Sequence, residues 1–227
     1  MRQIAGVVFD VDDTLYLERD YVQSGFEAVG SWIEAELGVS GVGDVAWRLF
    51  EQGVRRTTLT DALEHRGVET TEDLRQAVVR VYRRHNPSIR LSDDAARLLK
   101  RLGGRIPLAV VTDGPVESQR AKCRALGLEK WVDTIVVTAE HGSSKPDPAM
   151  FTLAVTGWDV PAAQLAYVAD NPAKDFDGPR SLGWCSFRVR RPGSLQVGLE
   201  SPPDVAEIAS LEDMALGREL GLTEESP

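Results

Sequence analysis

The chain has 227 residues, room for one large domain or one domain with a modest insertion. Its 42% hydrophobic and 27% charged content is that of a folded globular protein rather than a disordered one. Acids outnumber bases 35 to 26, and the net charge of −9 argues against a general nucleic-acid binder, although a local site of opposite sign could still take an anion.

The first apolar run, Ile4–Phe9, is far shorter than the ~20 residues a membrane span needs. It leads into acid without a small-residue cleavage site, which argues against a secretory signal. Cys123 and Cys185 form no CxxC and no disulfide framework, so a reducing cytoplasm is the expected compartment. Further short β-branched runs follow at Leu108–Val111, Ile135–Thr138, Leu165–Ala169, Cys185–Val189 and Val205–Ala209, with a closing helix predicted near Leu211–Leu220. Continuous apolar strands alternating with helices predict a parallel sheet, buried on both faces and wound with right-handed crossovers.

The spacing is uneven after the first strand. Helical periodicity over 20–37 (Tyr21, Val22, Phe26, Val29, Ile33, Leu37), then over 44–54, 59–66 and 71–84, fills the gap before the crossover helix at 92–104. Residues 17–89 are therefore predicted to be a helical insertion, with 1–16 and 90–227 as one discontinuous core. Gly41-Val-Gly43-Asp-Val-Ala46 fits the loose G-x-G-x-x-A pattern but follows a helix and not a strand, so it is predicted to be an interhelical turn. His65, His85 and His141 lack zinc-ligand spacing. Arg188, Arg190 and Arg191 are expected on a solvated rim after the last core strand.

In parallel α/β sheets, ligands bind beyond the carboxyl ends of the strands, so the residues just after each run matter most. Those are Asp10-Val11-Asp12-Asp13-Thr14, Thr112-Asp113-Gly114, Ser144-Lys145-Pro146 and Asp170-Asn171-Pro172 with Asp175. Singly, each has a plain explanation as a turn, a helix cap or a solvated lysine. Their joint occurrence, in order, at four strand ends is not explained by turn chemistry.

VVFDVDDTL (7–15), VVTDG (110–114), Lys145 in SSKPDPAMF and YVADNPAKDFDG (167–178) resemble the haloacid dehalogenase superfamily of hydrolases. The resemblance implies an α/β fold: a three-layer, Rossmann-like parallel-sheet core with a small all-helical cap domain inserted after the first strand. It departs from the usual pattern mildly, with Asp113 where many members have Asn and Ala169 where Gly usually precedes the Asp.

By that resemblance Asp10 would be the nucleophile that forms an aspartyl-phosphate. Asp12, two positions on and on the same side of an extended chain, would be the general acid and then the base, its carboxyl kept partly protonated by neighbouring carboxylates. Thr112, the Asp113 backbone N–H, Gly114 and Lys145 would bind the phosphoryl group. Asp10, the Asp12 carbonyl and Asp170 would hold Mg²⁺, and Asp175 would orient a water on the metal or Lys145.

The expected function is Mg²⁺-dependent hydrolysis of a small phosphorylated metabolite by a monomer or homodimer, with no nucleic-acid or membrane partner. A sugar-phosphate mutase shares the catalytic set and stays open, as does a phosphate-binding regulatory protein without turnover. The dehalogenases lack an acid at the position of Asp12, and phosphonate-cleaving members use a cap lysine, whereas no lysine lies between Leu15 and Lys100 here. Tyr16, Leu17, Glu18 and Arg19 at the first hinge, Arg55-Arg56, Arg83-Arg84, Trp32 and Trp47 are candidates for substrate contact, with solvated faces or core as the commoner roles of such residues.

Overall fold

The computed structural model describes residues 3–213 and Leu220, so the closing helix expected near Leu211–Leu220 falls largely outside the described residues. Six strands form one parallel sheet: β1 (Gly6–Phe9), β2 (Leu108–Thr112), β3 (Thr134–Val137), β4 (Leu165–Ala169), β5 (Cys185–Val189) and β6 (Ala206–Ile208). Their order is β3-β2-β1-β4-β5-β6, and Phe9 stands level with Val110 on one side and Val168 on the other. The winding reverses direction between β1 and β4, and a crevice opens at that point beyond the carboxyl ends.

The linking helices are α5 (Asp93–Leu102), α6 (Val116–Ala125), α7 (Pro148–Ala154) and α8 (Asp177–Ser181). The connections through α5 and α6 run one way across the sheet and those through α7 and α8 the other, so right-handed crossovers place the two pairs on opposite faces. That is why the strands carry no polar alternation: both faces are covered. On one face Val8, Ala109, Val111, Val136 and Tyr167 pack with Met150, Phe151 and Ala154 of α7 and with Phe176 and Trp184. Phe151 meets the Tyr167 ring edge to face at 5.0 Å.

The chain divides into two compact units, Met1–Arg19 with Arg90–Pro227 and, separately, Asp20–Ile89. The second unit is helical: the greater part of α1 (Glu18–Leu37), then α2 (Val42–Glu51), α3 (Thr58–His65) and α4 (Glu72–Arg84). The Thr71 hydroxyl accepts from the Leu74 N–H and caps α4, as the Thr-Glu-Asp start predicts. Of the loose glycine motif only Gly41, at φ 75°, lies in the expected interhelical turn, and Val42–Ala46 already belong to α2. Gly30 and Gly43 let α1 and α2 approach backbone to backbone. A Cβ on Gly43 would lie 2.7 Å from the Phe26 carbonyl oxygen.

Because that obstacle is backbone and not a movable side chain, Gly43→Ala is expected to destabilise this unit by about 1–3 kcal/mol despite alanine's better helix propensity. Chemical denaturation followed by circular dichroism checks this, and a variant as stable as the parent would contradict the packing.

Candidate active site

The site begins where β1 runs out of sheet. The Asp10 N–H donates to the Val168 carbonyl at 2.9 Å and adds one more rung to the β1–β4 ladder, which fixes the Asp10 backbone. The chain then turns tightly, with the Thr14 and Leu15 N–H groups both donating to the Val11 carbonyl and Asp13 at φ 55°. Asp tolerates that left-handed conformation better than most residues. Its buried carboxylate accepts from the Glu18 N–H at 2.8 Å and the Leu195 N–H at 2.7 Å.

Lys145 is buried at the centre. Its ammonium donates to Asp10 Oδ1 at 2.5 Å, reaches Asp175 Oδ1 at 2.6 Å and touches the Tyr167 hydroxyl at 3.1 Å. Burial alone favours the neutral amine, but the charges of Asp10 and Asp175 outweigh it and hold Lys145 protonated. Asp175 also accepts from the Asn171 N–H at 2.9 Å, so the turn after β4 aims it inward. One carboxylate oxygen from each of Asp10, Asp170 and Asp175 lies within 4.8 Å of the others. Burial first, then the Asp175 charge, push Asp10 up to about 6 against the pull of Lys145. Burial and the charges of Asp10, Asp175 and Asp13 push Asp170 up to about 9. With one lysine among three buried acids, the cluster is short of positive charge. Its donors are all hard oxygens, the set that suits Mg²⁺.

Asp12 stands in a different environment from the one expected. Asp10, Asp13 and Glu18 feel its charge, but the group in contact with it is a cation: Lys122 Nζ sits 2.8 Å from each of its oxygens. The Tyr16 hydroxyl donates to Oδ1 at 2.5 Å and Gln119 Nε2 to Oδ2 at 3.1 Å. Burial pushes its carboxyl up, but Lys122 and these hydrogen bonds prevail and hold it below the ordinary value. Sequence reading missed both Gln119 and Lys122. Their three-residue spacing puts them on one face of α6, directly after Thr112-Asp113-Gly114, and that was the available signal.

Thr112 ends β2 fully buried, and its hydroxyl donates to Gln119 Oε1 at 2.9 Å. Gly114 follows at φ 140°, where a Cβ would meet the Gln119 amide at 2.7 Å. The Asp113 side chain turns elsewhere, and its carboxylate accepts from the Lys145 N–H at 3.0 Å and from the Thr138 hydroxyl at 2.5 Å. It thereby pins the loop that carries Lys145. Lys174 approaches the same carboxylate at 3.8 Å.

The arginines at and after the last core strand do not form the expected solvated rim. Arg188 lies within β5, fully buried, and donates to the carbonyls of Asp170 (2.8 Å), Gln196 and Leu199 and to the Ser201 hydroxyl. Arg191 donates twice to the Thr14 carbonyl, at 3.1 and 2.9 Å, and pairs with both oxygens of Asp94. Only Arg190 is on the surface, bonded to the Val197 carbonyl and to Glu207. Arginine's fixed planar fork suits several converging backbone carbonyls, and sequence alone does not show which fork finds them.

In the helical unit, Arg55 lies on the Phe50 ring at 4.0 Å and donates to the Phe50 carbonyl, and Arg56, Arg83 and Arg84 are exposed. Trp32 is half-buried. Trp47 stacks on Phe50 and lines a groove of about 250 Å³ with Glu27, Glu34 and Asp44, walls that repel a phosphate. His141 is exposed on a single 3₁₀ turn, Thr138–His141. Among the described residues no helix is long and apolar enough to cross a membrane.

The profile of the haloacid dehalogenase-like hydrolases matches residues 4–183. The glyceraldehyde 3-phosphate phosphatase of Methanocaldococcus jannaschii is 27% identical over 204 residues, or 82% of this chain and 85% of that protein. The phosphoserine phosphatase of Thermus thermophilus is 29% identical over 203 residues, or 88% of this chain and 72% of that protein. The HAD-hydrolase YfnB of Bacillus subtilis, whose crystal structure has magnesium bound, shares the fold with a TM-score of 0.66 at 21% identity, over 96% of this chain and 99% of that one.

The Arg191–Asp94 pair ties the turn after β1 to α5, and its loss has a predictable cost. Burial opposes the Asp94 charge, but the Leu211 N–H and Arg191 prevail and hold its carboxyl well below the usual range. A depressed native value means that the stabilisation is complete above about pH 5 and fades as the solution becomes more acidic. Asp94→Asn is therefore expected to lower stability at pH 7, with the deficit shrinking toward pH 3 in urea titrations. A deficit that does not change with pH would count against the pair.

Proposed function

This chain belongs to the haloacid dehalogenase-like hydrolases, and from that premise we propose that it is a Mg²⁺-dependent phosphomonoester hydrolase that works through an aspartyl-phosphate on Asp10. The observation that carries the reading is the pairing of a buried, lysine-bonded Asp10 with a second acid, Asp12, two residues on, held by its own set of donors. In the superfamily, dehalogenation does without an acid at the position of Asp12. Hydrolysis of an ester needs one, because an alkoxide leaving group has to be protonated. We place residues 17–89 as the cap and residues 1–16 with 90–227 as the catalytic core.

Lys122 and the hydrogen bonds from Tyr16 and Gln119 favour the Asp12 carboxylate, so Asp12 must first take up a proton from solvent. In the first half-reaction a carboxylate oxygen of Asp10 attacks phosphorus in line and the ester P–O bond breaks, while Asp12 passes that proton to the departing oxygen. Asp12 is then a carboxylate. In the second half-reaction it takes a proton from water, which attacks the phosphorus of the acyl phosphate and releases inorganic phosphate and Asp10. Over the full cycle Asp12 loses and regains one proton. Lys145, already bonded to Asp10 Oδ1, offsets the charge that the phosphoryl group brings. Thr112 and the backbone at Asp113 and Gly114 would meet its remaining oxygens. Asp10, Asp170 and the carbonyl of Asp12 would hold Mg²⁺, which supplies the positive charge that the acid cluster lacks and polarises the phosphoryl oxygens. Asp175 acts through Lys145, which it contacts at 2.6 Å.

Small phosphorylated metabolites of the size of phosphoserine and glyceraldehyde 3-phosphate, the compounds in the names of the two phosphatase relatives, belong first in a substrate panel. Phosphate release with Mg²⁺ is expected to stop on chelation and to fall by about a thousandfold or more in Asp10→Asn. Undiminished turnover in either condition would overturn the reading. Isomerised sugar phosphate with little free phosphate would point to the mutase instead.

A further inference from the structure

Three donors from three positions converge on one carboxylate at the edge of the site, and the two half-reactions above use none of them. Lys122 lies on α6, its side chain only 4% exposed. A lysine this buried is rare unless paired, and the partner here is Asp12, at 2.8 Å from each oxygen. Gln119, one turn earlier on the same face of α6, is locked in one orientation. Its oxygen accepts from Thr112, so its amide nitrogen faces outward and donates to Asp12 Oδ2 and to the Asp113 carbonyl at 2.9 Å. Tyr16 closes the other side of the carboxylate through Oδ1.

The symmetry of the lysine contact is the informative feature. Tyr16 and Gln119 each hold one oxygen, whereas Lys122 holds both equally. If the carboxylate turns to present one oxygen to a substrate, it gives up Tyr16 or Gln119 and keeps Lys122. We propose that Lys122 is a positioning residue for the reaction, a pivot that keeps the Asp12 carboxyl aimed at the leaving-group oxygen while the Tyr16 and Gln119 contacts exchange. This rests on the phosphatase reading above, in which Asp12 serves the leaving oxygen.

The test is the dependence on the leaving group. For each substrate kcat/KM reports the first half-reaction, in which an alkyl phosphate needs proton donation and 4-nitrophenyl phosphate, with a stable phenolate, does not. In Lys122→Met, kcat/KM for the alkyl ester is expected to fall at least about tenfold more than for the aryl ester. Lys122→Arg, which keeps a charge at the position, is expected to restore part of that ratio. Tyr16→Phe removes one hydroxyl and leaves the ring in place, so it serves if the lysine variants do not fold. It is expected to shift the ratio in the same direction by a few-fold.

Equal losses on both esters would mark Lys122 as merely structural and overturn the inference, as would a ratio unmoved in Tyr16→Phe where that variant alone can be measured. A parent protein that hydrolyses neither ester with Mg²⁺ would refute the phosphatase reading itself. A parent active on both, with the ratio unmoved in the variants, overturns only the role of Lys122.

Discussion

Three carboxylates buried together at the end of a parallel sheet form the constraint on which the rest of the core depends. At 4.8 Å, two carboxylates that were both fully ionised would repel by roughly 3 kcal/mol even at an effective dielectric near 20, and this repulsion adds to burial in pushing Asp10 and Asp170 up. Lys145 relieves part of this by touching Asp10 and Asp175. The arrangement persists because other groups immobilise the segments that carry these side chains. The Asp113 carboxylate holds the Lys145 backbone, Arg188 holds the Asp170 carbonyl, and Arg191 holds the Thr14 carbonyl. The remaining deficit of positive charge is what suits the cluster to a divalent cation and a phosphoryl group.

Around that cluster the chain separates two acids that stand only two residues apart. Asp10 faces Lys145 and more carboxylates, and burial pushes it up. Asp12 faces Lys122, Tyr16 and Gln119, which hold it down. Taken alone, these directions would make Asp10 the proton carrier and Asp12 the ionised partner. The roles proposed for them therefore rest on the superfamily pattern and on the Asp10–Lys145 contact, and a bound cation and substrate would have to reverse the order. The separation depends on α6, which starts just after Gly114 and brings Gln119 and Lys122 back over the turn beyond β1.

Much of the core was legible from local pattern. The apolar runs ending at Phe9, Val111, Val137, Ala169 and Val189 mark β1 to β5 to within two residues, because a strand covered on both faces cannot hide in alternation. Asp10, Thr112 and Asp170 were legible for the same reason, as polar groups placed immediately after such runs, and Lys145 from the SSKPDPAMF segment in the loop beyond the third. Lys122 and Gln119 were not, since they lie inside a helix whose sequence, VESQRAKCRA, reads as a polar surface helix. Arg188 and Arg191 were misread because charge near a strand end is commonly solvated, and only long-range packing turns it inward.

The sequence by itself determined which strand ends are polar, in what order they come, and that a helical stretch of some seventy residues interrupts the core after β1; these depend on residue type and near-neighbour spacing. Tertiary structure alone decided which lysine meets which carboxylate. Lys145 reaches Asp10 across 135 positions and Lys122 reaches Asp12 across 110, and no local rule distinguishes these pairings from the reverse. They follow from the strand order β3-β2-β1-β4, which sets β1 between its two partners and brings the loops of distant segments over one carboxyl edge. An ion pair depends on distance in space, and here the winding of the sheet set that distance.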